Sequence, residues 1–261
     1  MLPMKNKNSI RCALITGASS GIGKVYASRL AHDGYNIIAI GRDEDALKIA
    51  IRQMPKPHEG SHKYLCADLS TKQGVRKVVN EAKVAEVVIA NAGQTLAANI
   101  GDTSPSDREK LHYLLCGGVI DLAEAVLPKM KSNREGRFVI ISSIAAYVPM
   151  PKSAVYAAAK SSISAYGRSA HLETKKFNVC VTTVHPGYVR TDIHRRAGLD
   201  HLERKVPGIL WSEPDLIVKS AEKASKAGRM EIVPGIIYRT ALPFLSSQFV
   251  QKIWQLLVSR K

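Results

Sequence analysis

The chain contains no internal repeat and no long low-complexity run, which excludes solenoid and fibrous designs for its 261 residues. Its four cysteines, Cys12, Cys66, Cys116 and Cys180, have no metal-ligand spacing, so no zinc or iron–sulfur centre is expected. Three of them lie in apolar, strand-like runs. That predicts buried, reduced thiols in a cytoplasmic protein. The opening Met1-Leu-Pro-Met-Lys-Asn-Lys-Asn8 lacks the apolar stretch of a secretion signal and reads as a short basic tail. Acidic residues are scarce: 22 Asp and Glu face 38 Lys and Arg, for a net charge of +16. Such a surface attracts anions. The charges are scattered, however, with local groupings only at Arg190 to Lys205 and Lys219 to Arg229. No nucleic-acid motif accompanies them, so they read mainly as solvated surface and no nucleic-acid partner is expected.

What is present is a regular alternation of short apolar runs and helical patterns. Candidate strands are Cys12–Thr16, Tyr35–Ile40, Lys63–Ala67, Glu86–Ala90, Arg137–Ser142, Asn178–His185 and Met230–Val233. Candidate helices lie near Ile22–Asp33, Asp43–Gln53, Lys72–Ala82, Pro105–Lys131, Lys152–Lys176, Glu213–Lys226 and Pro243–Val258. Strands alternating with helices predict βαβ units. Right-handed crossovers then give an α/β fold with a doubly wound parallel sheet of about seven strands and helices on both faces. At 261 residues and 45% hydrophobic content, residues 1–261 fit one large domain.

Two local patterns carry chemistry. The first strand runs into Gly17-Ala-Ser-Ser-Gly21-Ile-Gly23 and then into a helical stretch. A strand, a glycine-rich turn and a helix in that order form a dinucleotide site: glycines admit the backbone close to a pyrophosphate, and the helix N-terminus supplies unpaired N–H groups. In the second pattern, Tyr156 and Lys160 stand four residues apart, with Ser143 upstream. Spacing of four shares a helix face. A neighbouring ammonium favours the phenolate, so the pair is expected to bring a tyrosine proton toward the working pH range. A hydroxyl such as Ser143 would bind the oxygen of a reacting carbonyl. Taken alone, the same spacing also fits a pair on an exposed helix.

Together with Cys66-Ala-Asp68-Leu, Asn91-Ala-Gly93, Ile141-Ser-Ser143 and His185-Pro-Gly-Tyr-Val-Arg-Thr191, these patterns resemble the short-chain dehydrogenase/reductase family over about residues 10–235. The resemblance implies a Rossmann-type fold and a nicotinamide cofactor bound by Gly17, Ser19, Ser20, Gly21, Ile22 and Gly23. It implies that Asp68 meets the adenine amine with Leu69 packed nearby, and that Asn91, Ala92 and Gly93 brace the sheet beside the cofactor. It further implies that Pro186 and Gly187 shape the turn bringing Thr191 to the nicotinamide carboxamide, and that Tyr156 and Lys160 adjoin the nicotinamide ribose. For Asp68, a helix N-cap is the competing reading, although Ser70 or Thr71 would serve better. NAD-preferring relatives usually carry Asp near the end of the second strand. Here Gly41-Arg42 stands instead, and Arg pairs bidentately with a 2′-phosphate, so NADP(H) is expected. The competing reading pairs Arg42 with Asp43 or Glu44.

The implied activity is carbonyl reduction, or secondary-alcohol oxidation in reverse. Tyr156 is the proton donor, Ser143 the carbonyl-binding hydroxyl and Lys160 their support; Ser142 is expected to pack inward. One departure bears on turnover. Relatives carry Asn in an Asn-x-x-Gly pattern ahead of Leu-Pro, and alignment on Leu127-Pro128 and Gly118 puts Leu115 there. Leucine cannot hydrogen-bond a proton relay. The readings left open are an enzyme with a water or backbone carbonyl in that role, a slow or specialised enzyme, and a cofactor-binding protein with weak or no turnover. Residues 188–211 resemble the family's variable substrate lid, and Tyr147, Met150, Tyr188 and Trp211 are candidate pocket residues. The substrate is read as a small-molecule or acyl-carrier-bound carbonyl compound, the assembly as a homo-dimer or homo-tetramer. The tail at 240–261 is amphipathic, with Phe249, Ile253, Trp254 and Leu257 on one face. It fits packing against a subunit or peripheral contact with an anionic membrane.

Overall fold

A computed structural model of the chain describes residues 11–56, 60–199 and 201–245. The six principal strands are β1 (Cys12–Thr16), β2 (Asn36–Gly41), β3 (Lys63–Cys66), β4 (Val87–Ala90), β5 (Gly136–Ile141) and β6 (Val179–Val184). Two-residue strands β7 (Tyr188–Val189), β8 (Trp211–Ser212) and β9 (Glu231–Ile232) follow. The helices are α1 (Gly21–His32), α2 (Glu44–Arg52), α3 (Lys72–Ala82), α4 (Pro105–His112), α5 (Gly118–Asn133), α6 (Ala154–Lys175), α7 (Ile193–Arg196), α8 (His201–Lys205), α9 (Pro214–Lys226) and α10 (Ile236–Leu245).

The main sheet has the order β3-β2-β1-β4-β5-β6-β9, and every pairing in it is parallel. The strands of a parallel sheet are covered on both faces, which is why β1, β2 and β4 are nearly continuous apolar runs. Alternate side chains feed two cores. Leu14, Ile38, Val88 and Phe138 join Leu111, Leu122, Val126 and Ile163 from α4, α5 and α6. Ile15, Ile37, Ile89 and Val139 join Tyr26, Leu30, Leu47, Ile217 and Ala221 from α1, α2 and α9. Full burial of each large aliphatic chain contributes about 2 kcal/mol. The chain order reverses between β1 and β4, and ligands of such sheets bind outside the carboxyl ends of the strands at that point.

Several expectations are corrected. The helix anticipated over Pro105–Lys131 is α4 and α5 joined by a π-helical turn at Tyr113–Gly117. The run Pro105–Asn133 is long and apolar enough to cross a membrane, but half of its apolar window is buried within the protein, because this helix is a core element. Among the cysteines only Cys116 is buried, and it is helical; Cys66 is exposed and Cys12 and Cys180 are half-buried. Cys66 is exposed because β3 is an edge strand, a consequence of strand order. The stretch 188–211, which resembled a variable lid, contains α7, α8 and a β7–β8 ladder. The expected helix Pro243–Val258 and the apolar face of the tail at Phe249, Ile253, Trp254 and Leu257 lie outside the described residues except for the first positions, at the end of α10.

Helix α1 sits tightly against the turn that precedes it. A Cβ on Gly23 would stand 2.1 Å from the Gly17 carbonyl oxygen and 2.5 Å from Asn91 Nδ2. Both are fixed, so relief requires moving the helix. Gly23→Ala is expected to destabilise the protein by about 3 kcal/mol. Urea denaturation measures this, and a loss below about 1 kcal/mol would show that the turn yields.

Candidate active site

Every strand-end motif converges on one rim. The glycine-rich turn follows β1, Arg42 follows β2, Asp68 follows β3, Asn91 follows β4, Ser143 follows β5 and Pro186 to Thr191 follow β6. Between them is a cleft of about 290 Å³. Its walls include Gly17, Ser19, Ser20, Gly21, Ile22, Arg42, Asp68, Leu69, Asn91, Ala92, Gly93 and Thr191. Gly23, Pro186 and Gly187 are not in the wall, and neither are Ser143, Tyr156 and Lys160. Gly23 and Pro186 are buried behind it, and Gly187 lies under the Tyr238 ring, 2.0 Å from where its Cβ would be. Asp192, Ile193 and Arg196, from the stretch read as a lid, also border the cleft, as do Gln94, Thr95 and Leu114, which had carried no sequence signal.

A compact hydrogen-bond junction holds the two halves of the rim together. The Thr16 hydroxyl donates to the Ile89 carbonyl (3.3 Å) and accepts from the backbone N–H of Asn91 and of Ala92 (both 2.9 Å). The Asn91 amide donates to the carbonyls of Thr16 (3.0 Å) and Gly17 (3.3 Å). Asn91 thus braces β1 against β4, and buried Thr16 is the partner that sequence reading passed over. Gly17 and Gly21 adopt φ of +66° and +53°, which L side chains rarely take. The first turn of α1 has no acidic residue and Ser20 gives it no side-chain cap, and its first residues Gly21 and Ile22 border the cleft.

At the β2 and β3 ends of the cleft, Arg42 is paired with neither acidic neighbour. Asp43 caps α2 through the Ala46 N–H (2.9 Å), and Glu44 pairs with Lys48 (2.9 Å). Asp68 accepts from the Ser70 N–H (3.0 Å) and hydroxyl (2.8 Å), while Thr71 is the N-cap of α3. Burial works against the Asp68 charge, but the Ser70 bonds and the nearby Arg42 hold the carboxyl below its ordinary range.

At the other end, α6 presents Tyr156 and Lys160 one turn apart. The Lys160 ammonium lies 5.8 Å from the centre of the Tyr156 ring and donates to the Ile141 carbonyl at 2.7 Å. The Ser143 hydroxyl accepts from the Ala145 N–H (3.1 Å) and is near enough to Tyr156 to favour its phenolate. Ser142 faces inward, meeting the Lys160 carbonyl (3.2 Å) and the Ser164 hydroxyl (2.8 Å). The expected lowering of the Tyr156 pKa by Lys160 is not found: burial raises it, and among the described residues the opposing influence is Ser143. Burial instead pulls Lys160 down to about 8. Lys160 has lost its water without gaining an anion, so the desolvation outweighs what an i,i+4 pair was expected to do.

Leu115 is buried in the π-helical turn, its side chain beside Gly93. The two glycines there are required by packing. A Cβ on Gly117 would stand 2.8 Å from the Tyr113 ring, and one on Gly118 would be 3.1 Å from both Val75 and the Tyr113 carbonyl. Of the candidate pocket residues, Tyr188 and Trp211 stack at 5.3 Å between ring centres on the β7–β8 ladder. The Tyr147 hydroxyl is turned back to His185 and Glu231 (3.1 Å each).

A parallel sheet with a glycine-turn cleft at its switch point defines a Rossmann-type dinucleotide-binding architecture. Comparison with known proteins narrows this. The family model described as short chain dehydrogenase matches residues 11–201. An uncharacterized oxidoreductase of Staphylococcus epidermidis is 30% identical over 199 residues, spanning 75% of this chain and 84% of the relative. A solved short-chain dehydrogenase from Sphingobium yanoikuyae in complex with NADPH superposes with a TM-score of 0.81 at 25% identity, covering 97% of this chain and 96% of that one. A 3-oxoacyl (acyl-carrier-protein) reductase from Agrobacterium tumefaciens with NADP bound has a TM-score of 0.76 at 27% identity, covering 86% and 92%. The chain therefore belongs to the short-chain dehydrogenase/reductase family of oxidoreductases.

The depressed Lys160 makes a thermodynamic prediction. Its ordinary value is 10.5, so as pH rises from about 8 toward 10.5 the unfolded chain keeps a proton that the folded one has released. Stability from this group accordingly rises across that window. Lys160→Met, which roughly keeps the volume, is expected to lack the increment. Urea titrations of both proteins at about pH 7 and about pH 10 isolate it as a difference, and parallel pH dependences would show an ordinary lysine.

Proposed function

We propose that the chain is an NADP(H)-dependent carbonyl reductase, working in reverse as a secondary-alcohol dehydrogenase. The observation that carries the reading is the grouping of Ser143, half-buried Tyr156 and, one turn on, buried Lys160, together with Arg42 in the wall of the glycine-turn cleft, where it forms no ion pair with Asp43 or Glu44.

The residues present fit a dinucleotide. The positive-φ glycines keep side chains out of the turn, and the first N–H groups of α1 remain open to a pyrophosphate. Arg42 would hold a 2′-phosphate, Asp68 the adenine amine and Thr191 the carboxamide. The NADPH and NADP complexes of the two structural relatives support the same choice. When bound, the nicotinamide supplies or accepts the hydride.

The chain's own residues handle orientation and the proton. The Ser143 Oγ donates to the substrate carbonyl oxygen and fixes its direction. Tyr156 Oη lies on the same oxygen and delivers its proton as the negative charge develops. Burial keeps that phenol protonated until the transfer, which suits a general acid. Lys160, titrating near neutral pH, returns a proton toward Tyr156, with its Nζ held by the Ile141 carbonyl. That carbonyl serves the ammonium where Leu115 has no polar group to offer. The substrate is a small or carrier-bound ketone or aldehyde, a class supported by the relative named as an acyl-carrier-protein reductase.

Tyr156→Phe is expected to lower kcat by about 10²- to 10³-fold while leaving NADPH binding intact. Loss of NADPH absorbance with a panel of ketones measures the first quantity and fluorescence titration the second. Turnover equal to wild type in the variant would remove Tyr156 from the chemistry. Tight NADPH binding with no turnover by the wild type would instead favour the cofactor-binding reading raised by Leu115. For the cofactor choice, Arg42→Ala is expected to weaken NADPH binding roughly 30-fold and NADH binding less than about threefold. Equal losses for the two would place Arg42 away from the 2′-phosphate.

A further inference from the structure

Behind Ser143 lies a buried polar cluster that the proposed chemistry does not use. His185 is wholly buried just beyond β6. Its Nε2 stands 3.1 Å from Glu231 Oε1 and 3.1 Å from the Tyr147 hydroxyl. Its Nδ1 stands 3.4 Å from the Ser143 carbonyl oxygen. Arg168 from α6 closes the cluster on the same Glu231 oxygen at 3.1 Å. The Glu231 carboxyl lies below its ordinary range; burial opposes this and the His185, Arg168 and Tyr147 bonds produce it.

The contact at Nδ1 matters because of which peptide unit it touches. The carbonyl of Ser143 and the N–H of Ile144 belong to one planar group. Its N–H donates to the Pro186 carbonyl at 2.9 Å, while its carbonyl faces the His185 ring. On the N-terminal side, the Ser142 N–H donates to the Val184 carbonyl at 2.8 Å. Both ends of the Ser143–Ile144 peptide are thus held by consecutive residues of the β6 extension. Fixing that plane fixes ψ of Ser143, and with it the direction in which Oγ leaves the backbone. A carboxylate beside Nε2 in turn holds the ring in register, as second-shell acceptors do for functional imidazoles.

We infer that His185, set by Glu231 and Tyr147, is the positioning residue for Ser143, acting on the serine through its backbone carbonyl. This rests on the reading of Ser143 as the carbonyl-binding hydroxyl. An Oγ displaced by a fraction of an ångström loses much of its effect on a developing oxyanion. The cofactor cleft is lined by other residues, so NADPH binding is untouched.

The test uses pairs of variants chosen by atom position. Asn places an amide N–H where Nδ1 was, whereas Leu fills the volume and donates nothing. His185→Asn is expected to keep kcat within about threefold of wild type, and His185→Leu to lose roughly thirtyfold in kcat with KM for NADPH unchanged. A His185 that only filled space would give the opposite order, because Leu matches the imidazole volume better than Asn does. Phenanthrenequinone serves as the carbonyl probe, with NADPH consumption as the readout. Amide hydrogen exchange at Ile144 gives a second readout that needs no turnover: it accelerates at least tenfold in His185→Leu, and stays near wild type in His185→Asn, while Ile15 is unchanged in both. Should His185→Leu fail to fold, Glu231→Gln, at a half-buried position, takes its place, with faster Ile144 exchange and lowered kcat expected. Unchanged Ile144 exchange in the folded variants, or a larger loss in Asn than in Leu, overturns the inference. Wild-type turnover in Ser143→Ala and Tyr156→Phe would instead overturn the underlying reading of the site, and the exchange data would still decide whether His185 holds the peptide.

Discussion

The junction of Thr16 and Asn91 is the constraint on which the rest of this molecule depends. One hydroxyl and one amide join the end of β1 to the end of β4 at the place where the sheet reverses its order. Without that bracket the two strands would still pair, but the loops leaving them would be free to separate. With it, the glycine-rich turn, the first turn of α1 and the segment Asn91 to Gly93 are held as one rigid lip. Packing around Gly17 and Gly23 leaves no room for the bracket to move. The cleft is therefore a geometric product of backbone approach, and its side chains decorate a surface already set.

The far rim is organised by different physics. There the controlling quantity is dehydration. Lys160 is buried and Tyr156 half-buried, and both shift in the direction that disfavours charge. In the proposed chemistry, a phenol that resists ionisation and an amine that gives up its proton readily would serve as donor and reservoir. The Ile141 carbonyl holds the amine in place. Rigidity on one side and desolvation on the other meet at the same strand ends, which is how one sheet serves both binding and chemistry.

Much of this was legible in the chain. The alternation of apolar runs and helical stretches gave the strand order its raw material, and each motif at a strand end was found at a strand end. Arg42 stood out because a carboxylate was missing before it. Other features escaped for physical reasons. The i,i+4 spacing reports distance along a helix and says nothing of burial, so the direction of the Tyr156 shift was misread. The exposure of Cys66 depends on which strand lies at the sheet edge, and composition does not reveal topology. His185, Glu231, Arg168 and Tyr147 come from four separate places in the sequence and carry no common pattern. The need for glycine at 117 and 118 was also hidden, because the Tyr113 ring against Gly117 and the Val75 side chain against Gly118 are not visible in one dimension.

The all-parallel sheet has a kinetic side. No two of its strands can be joined by a tight hairpin, so every pairing closes a loop that includes a helix or more. Contacts of such sequence separation form late, after most of the chain entropy has been spent. The residues of the rim arrive from six strand ends, so a partly assembled sheet has none of the cleft. Nascent or damaged chains consequently have nothing with which to capture a dinucleotide. Any ligand of the finished cleft acts on the whole folding equilibrium rather than on a local piece of it.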